Sequence, residues 1–360
     1  MAAAINVFFE FMHNQRASDL HMASGRKPRI RIDGELHDIE YEVLTDQSLR
    51  KMLYEIMPPE RLPVFKETGD MDFGYEIPGL ARYRANYFEQ TQGIGAVFRE
   101  IPSKILTLEQ LGLPQVLARS AMLNRGLVLV TGPTGSGKST TLAAIMDYAN
   151  KNRRDHIVTI EDPVEFVHES HGCLVNHREV GKHTKSFTAA LRAALREDPD
   201  IILVGEMRDL ETIELAIEAA STGHLVFGTL HTQSATKTVD RIIDVFPVDQ
   251  QEKVRVTLSE TLKVVVAQNL FKRSDMPGRC AALEILICTQ AVAAMIREGK
   301  THQLVSMMQT GKKHGMRLLD DTIQELLDKK WISPEQAYEK SMDKKRFIPY
   351  LSEPPDELAG

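Results

Sequence analysis

The run Leu127-Val128-Leu129-Val130-Thr131-Gly132-Pro133-Thr134-Gly135-Ser136-Gly137-Lys138-Ser139-Thr140-Thr141-Leu142 decides the fold. It opens as a near-continuous apolar strand of the kind buried on both faces of a parallel sheet. Gly132 to Ser139 satisfies G-x-x-x-x-G-K-[ST], and Thr140-Thr141-Leu142-Ala143-Ala144-Ile145-Met146 opens a helix. The glycines let the backbone curl until successive N–H groups converge on an anion at a helix N-terminus. Pro133, Thr134, Gly135, Ser136, Gly137, Lys138, Ser139 and Thr140 are therefore the candidate residues for a nucleoside triphosphate. Lys138 would reach the β- and γ-phosphates, and Ser139 would offer its hydroxyl to Mg²⁺. A glycine-rich turn that matches by coincidence is the bland alternative; strand, motif and helix in series weigh against it.

Working outward, the apolar runs His156–Ile160, Ile201–Val204, Leu225–Thr229 and Ala281–Ile287 read as further strands of one parallel sheet, with helices between them. Ile201-Ile202-Leu203-Val204-Gly205-Glu206 ends in an acid at the C-terminal mouth of its strand, where ligands of open α/β sheets bind. Glu206 would polarise the attacking water, hold Mg²⁺ through water, or do both; a strand-end glutamate in solvent is the alternative. Glu161-Asp162-Pro163-Val164-Glu165 follows another strand and would bring Glu161 and Asp162 toward the same mouth, Asp162 as a further Mg²⁺ candidate. As a surface turn it would be unremarkable. His224 and His231 frame the Leu225–Thr229 strand and would sense the γ-phosphate or orient a carboxylate. A single histidine is more often structural.

Residues 1–100 read differently. A short amphipathic helix, the Ile/Arg alternation of Arg29-Ile30-Arg31-Ile32, a helix between Thr45 and Met57, and strand patterns at Met71–Ile77, Ala81–Glu89 and Gly95–Ile101 predict a small antiparallel α+β domain. Residues 101–114 read as a linker, 115–288 as the nucleotide-binding core, 289–345 as C-terminal helices and 346–360 as a frayed tail. Across 360 residues the net charge is −6, which argues against a general nucleic-acid binder. Cys173, Cys280 and Cys288 form no C-x-x-C pair, so neither a disulfide framework nor a zinc module is expected. The N-terminus lacks a signal-peptide pattern, and no apolar run approaches the roughly 20 residues of a membrane span. The expectation is a reduced, intracellular, soluble protein.

Together, the phosphate loop, Glu161–Phe166, Ile201–Asp209 and Gly223–Thr232 resemble the ordered boxes of the secretion-ATPase superfamily of ring-forming motors, and within it the type IV pilus retraction ATPase (PilT) family. Ser18-Asp19-Leu20-His21, Arg82-Tyr83-Arg84 and Ala96-Val97-Phe98-Arg99 carry the resemblance into the first domain. It implies an α/β chain with a PAS-like N-terminal domain, a RecA-like ATPase domain with a parallel-rich sheet, and C-terminal helices. It further implies ATP and Mg²⁺ as ligands and a homo-hexameric ring. The ring would dock peripherally, from the cytoplasm, on an inner-membrane pilus platform protein, with a paralogous retraction ATPase as a further candidate partner. Glu206 becomes the catalytic glutamate, supported by Glu161. His224 and His231 would couple nucleotide state to neighbouring elements. Arg82, Arg84 and Arg99 become arginine fingers, where a solvated strand face is the plainer reading. The absence of zinc-module cysteines favours retraction over extension. The family's C-terminal signature is altered at Ala293 and Ala294, which raises an accessory, PilU-like paralogue as the alternative. A P-loop kinase or a DNA translocase are readings of other classes: the first would need an acceptor lid, the second a basic-aromatic stripe.

Overall fold

The computed structural model describes residues 3–32, 34–101 and 104–353. The chain forms two units, Met1–Lys104 with Asp162–Val167, and Ile105–Glu161 with His168–Gly360.

The first unit carries helices α1 (Asn6–Asn14), α2 (Asp46–Ile56) and α3 (Leu62–Thr68). Its strands are β1 (Asp19–Ala23), β2 (Arg29–Ile32), β3 (Glu35–Asp38), β4 (Asp70–Ile77), β5 (Ala81–Gln90) and β6 (Gly93–Ile101). They form one sheet in the order β3-β2-β1-β6-β5-β4, antiparallel throughout. Period-two alternation decides which face is covered. On β5, Ala81, Tyr83, Ala85 and Tyr87 are buried against Phe9, Leu49, Leu53 and Phe98, while Arg82 and Arg84 point the other way. Phe9 packs on Tyr83 and Phe98 with ring centroids 4.3 and 4.9 Å apart. α2 starts where a reciprocal capping box satisfies two orphan amides: Ser48 N–H donates to Thr45 Oγ1 at 3.2 Å, and Thr45 N–H donates to Ser48 Oγ at 3.1 Å.

The second unit is built on β7 (Gly126–Thr131), β8 (His156–Glu161), β9 (Leu174–Glu179), β10 (Ile201–Val204), β11 (Leu225–Leu230), β12 (Leu262–Lys272) and β13 (Arg279–Ile287). Their order is β13-β12-β7-β11-β10-β8-β9. Helices α4 (Gln115–Ala121), α5 (Lys138–Asn152), α6 (Phe187–Ala194), α7 (Leu210–Ser221), α8 (Ala235–Asp244) and α9 (Val248–Thr261) cover both faces. Alternate β7 residues show this directly. Leu127 and Leu129 enter one core with α6, α7, α8 and α9, and Val128 and Val130 enter a second core with α4 and α5. Five neighbouring pairs run parallel, and β12 with β13 is antiparallel. The Ala281–Ile287 run is thus a strand but not a parallel one: it returns directly after β12 as a hairpin, and a hairpin is antiparallel by construction. β12 joins β7 with a bulge between Leu262 and Val264.

The C-terminal helices are α10 (Gln290–Arg297), α11 (Leu304–Thr310), α12 (Leu319–Asp328), α13 (Pro334–Lys340) and α14 (Lys344–Phe347). Two expectations change. The segment expected to link the units is already inside the second unit's core at Leu108, which is 6% exposed. The tail does not fray at 346: Phe347 is fully buried with Phe271, Leu319 and Ile323, and Arg346 donates to Asp321 at 2.8 Å. One aromatic with a pocket outweighs a polar, proline-rich composition. Residues 354–360 of that tail lie outside the described residues.

Candidate nucleotide site

The phosphate loop connects β7 to α5, and three of its glycines have backbone angles that side chains disfavour: Gly132 (φ 142°), Gly135 (φ 78°) and Gly137 (φ 84°). At two of them space is also lacking. A β-carbon on Gly132 would stand 2.3 Å from the Gln268 carbonyl oxygen, and one on Gly137 would stand 2.8 Å from Gln268 Nε2. Gln268, buried on β12, braces the loop from beneath. Its Nε2 donates to the Ser136 carbonyl at 2.6 Å, and its Oε1 accepts from Thr141 Oγ1 at 2.7 Å. Sequence reading misses this residue because it misses β12, although Val264-Val265-Val266-Ala267 is as apolar as the strands it recognises.

The loop suits an anion. α6, α7, α8 and α10 are each capped by a side chain, those of Ser186, Asp209, Ser234 and Thr289. α5 begins at Gly137 with no side-chain cap, as α4, α9 and α12 also lack one, and its first amides follow directly on the glycine-rich loop. The Ser136 hydroxyl is buried with no hydrogen-bond partner among the described residues. Lys138 Nζ donates to the Gly132 and Pro133 carbonyls at 2.9 and 3.1 Å, so its cation already stands over the loop. Ser139 and Thr140 lie half-exposed in the first turn of α5. Among the described residues no three His, Cys, Asp or Glu side chains gather as a metal site. The Ser139 hydroxyl, in the first turn of α5, is of the chemistry that suits a Mg²⁺ ion, which keeps waters and takes few protein ligands. Outside the loop, Pro133–Ser136 continue into a cavity of about 410 Å³, walled across by Leu270 and the Glu339–Met342 segment.

Glu206 stands just past the end of β10, whose neighbour β11 ends at Leu230. Its Oε1 is 2.7 Å from His231 Nε2, and it also accepts a hydrogen bond from Arg208 Nε. Burial alone would raise this carboxyl; the Arg208 and His231 hydrogen bonds more than offset it, and the group is held below the ordinary glutamate range. Glu161 ends β8 and is 9% exposed. It lies against Gly205, whose missing side chain makes room for it: a β-carbon there would meet Glu161 Cα and Cγ at 3.3 Å. The Gly-Glu ending of the β10 segment thus has a packing reason.

Other candidates fall elsewhere. His224 precedes β11 at the end opposite Glu206, and its Nδ1 lies 3.0 Å from the Ala219 carbonyl, closing the α7 turn. It is not brought together with His231. Asp162 belongs to the 162–167 segment grouped with the first unit, not to the unit that carries the loop. Arg82, Arg84 and Arg99 also belong to the first unit, and Arg84 and Arg99 stand in one cross-strand row: Arg31 on β2, Asp19 on β1, Arg99 on β6 and Arg84 on β5. Arg99 Nε donates to Asp19 Oδ1 at 2.8 Å, and Arg84 Nε lies 3.7 Å from Asp72. Arg82 packs its guanidinium over Gly74.

A parallel-rich sheet wrapped by helices, a phosphate loop at the C-terminal end of a central strand and an acid on the strand two places along define a P-loop nucleotide-binding protein. The chain belongs to the Type II/IV secretion system protein family, whose model matches residues 2–338. It is 53% identical to a type IV pilus retraction ATPase, PilT, of Pseudomonas aeruginosa, with 95% of this chain and 99% of that protein covered. It is 38% identical to that organism's type IV pilus ATPase PilU, covering 91% and 85%. The crystal structure of the pilus retraction motor PilT with bound ADP superposes with a TM-score of 0.87 at 43% identity, covering 96% of this chain and 99% of that one.

Proposed function

We propose that this chain is an ATP-hydrolysing motor subunit that drives type IV pilus retraction. The observation that carries the reading is the phosphate loop and the Glu206–His231 pair in a chain 53% identical to a PilT over nearly the whole length of both. The loop amides and Lys138 hold the phosphates, with Lys138 exchanging two carbonyl acceptors for charged ones. When bound, Mg²⁺ neutralises charge on the β- and γ-phosphates, with Ser139 as its protein ligand. Glu206, kept ionised, accepts a hydrogen bond from the attacking water and orients it. Glu161 fixes the Glu206 backbone from the neighbouring strand, and His231 reports the occupancy of Glu206 to β11. Arg82, Arg84 and Arg99 keep the proposed role of supplying positive charge to the γ-phosphate. His224, remote from this group in its own unit, is proposed only as a coupling residue.

The working assembly in this reading is a homo-hexameric ring, docked from the cytoplasm on an inner-membrane platform protein. Among the described residues no helix is long and apolar enough to cross a membrane. Ala293 and Ala294, on α10, favour a second reading as an accessory, PilU-like subunit; the higher identity to PilT weighs for the first.

Two measurements test this. Glu206→Gln should bind ATP and fail to release phosphate; normal hydrolysis by that variant would remove Glu206 from the mechanism. Deleting the gene should leave long, unretracted surface pili and abolish twitching. Loss of pili would indicate extension, and unchanged pili with weakened force would indicate the accessory role.

A further inference from the structure

The cavity outside the phosphate loop has an unusual second wall. Its near side is Pro133–Ser136, and its far side comes from the C-terminal segment, around Lys340 and Met342. That segment is more than 200 residues downstream in sequence, yet it is firmly held. The buried Asp320 carboxylate, at the start of α12, accepts from Met342 N–H and Asp343 N–H, both at 2.8 Å. Phe347, fully buried, anchors the chain just beyond.

The chemistry of the wall selects what it can face. Lys340 Nζ donates to the Leu270 carbonyl at 2.7 Å and lies over the Phe271 ring. Lys344 Nζ donates to the Tyr338 and Glu339 carbonyls at 2.7 and 2.5 Å. Both ammonium groups therefore rest on backbone carbonyls along the far side of the wall. Its apolar contribution is Met342, 48% exposed, which lines the cavity together with Leu270 and the polar side chains of Gln233, Asn269, Glu339 and Ser341. A thioether and a leucine side chain on a wall next to a phosphate loop are complementary to a flat, polarizable ring.

We propose that the Lys340–Lys344 segment forms the nucleoside wall of the site, with Met342 packing on the base and Asp320 positioning the segment. This rests on the nucleotide-binding reading above and adds what that reading lacks: the element that senses the base. The occupancy of the base pocket would then be transmitted to the C-terminal helices through Asp320 and α12.

The test compares ATP with inorganic tripolyphosphate, which carries the phosphates and no nucleoside. Met342 is exposed, so Met342→Ala and Met342→Asp keep the fold, which a melting curve checks. Met342→Ala should weaken ATP binding about fivefold, as loss of a sulfur–ring contact implies, and leave tripolyphosphate binding unchanged. Met342→Asp should weaken ATP more. In the unaltered chain, hydrogen–deuterium exchange should show residues 339–344 protected by ATP and not by tripolyphosphate. Equal losses for both ligands, unaltered ATP binding, or no protection of 339–344 would each overturn the proposal. Lys138→Ala separates the two readings: it should weaken both ligands, and unchanged binding of both would sink the nucleotide assignment itself.

Discussion

Glu161 crowds the point that a β-carbon on Gly205 would take, with Glu161 Cγ 3.3 Å and the Ile160 carbonyl oxygen 3.1 Å from it. The two residues adjoin because β8 and β10 run parallel in register, Ile160 opposite Val204. Gly205→Ala should therefore move Glu161 or tilt Glu206. We expect at least a tenfold loss of hydrolysis with ATP binding retained, and a stability loss of about 1–3 kcal/mol for overpacking. Steady-state phosphate release and thermal melts check this; a variant with normal turnover would show that the contact is tolerant.

The acid limb of the pH–rate profile follows from the partners of Glu206. With Arg208 and His231 present the carboxyl sits below its ordinary value, so it stays ionised well into mild acid. Arg208→Ala combined with His231→Ala leaves burial as the surviving influence, and burial raises a carboxyl. The acid limb of single-turnover hydrolysis should then move to higher pH. An unmoved limb would mean that Glu206 does not control it.

Gln268 should matter more than its distance in sequence from the loop suggests. Gln268→Ala leaves the Ser136 carbonyl and the Thr141 hydroxyl without their partner in a buried site. We expect about 1–3 kcal/mol of destabilisation together with weaker ATP binding, measured by melting and by nucleotide titration. Thr141→Val, which breaks one of the two bonds, should cost less, and the double variant should cost less than the sum.

His168 offers a pH test of the second unit. Burial, aided by the neighbouring His177, lowers its pKa to about 4, and its Nδ1 is buried with no hydrogen-bond partner among the described residues. The unfolded chain takes up this proton near 6.5 and the folded one only near 4, so the unfolded state binds more protons between those values. Stability should be full above about 6.5 and fall as pH drops toward 4. His168→Phe should flatten that part of the melting-temperature profile; an unchanged slope would assign the loss to other groups.

Asp19 is the counter-charge in a row otherwise made of arginines. Asp19→Asn removes the charge partner of Arg99 and leaves Arg99 directly opposite Arg84. Because Arg99 is 60% exposed, the cost should be modest, about 1 kcal/mol. It should shrink as salt screens the repulsion, which melts at two ionic strengths would show.

The features legible in the sequence are those whose signal is local. The β7–loop–α5 unit was readable because motif, apolar run and helix are contiguous, and Glu206 because it ends a run of four apolar residues. Gln268 and the Asp320–Met342 contact were not, since each joins residues far apart through a pairing that no local pattern encodes. His224 and His231 looked equivalent around one strand. A strand has two ends, and a phosphate loop at the C-terminal end of the sheet selects one of them. Glu161 and Asp162, adjacent in sequence, fall in different units, a separation that neighbouring residues cannot announce.

The bulge in β12 bears on how the phosphate loop keeps its brace. Helix α9 runs to Thr261 and β12 begins at Leu262, with Lys263 as the residue in excess opposite β7. A helix turns about 100° per residue and a strand reverses its side chains at each one, so the two cannot usually both be in phase across so short a join. The spare residue lets them be: Leu258 keeps its buried place on α9 while Gln268, five residues after Lys263, still faces the loop. Lys263 is thus first a spacer whose count matters, and its side chain adds a hydrogen bond to the Glu260 carbonyl at 2.7 Å. Replacing it should be tolerated, whereas removing it forces either the helix to rotate or the strand to slip by one, and a slip turns Gln268 away from the phosphates.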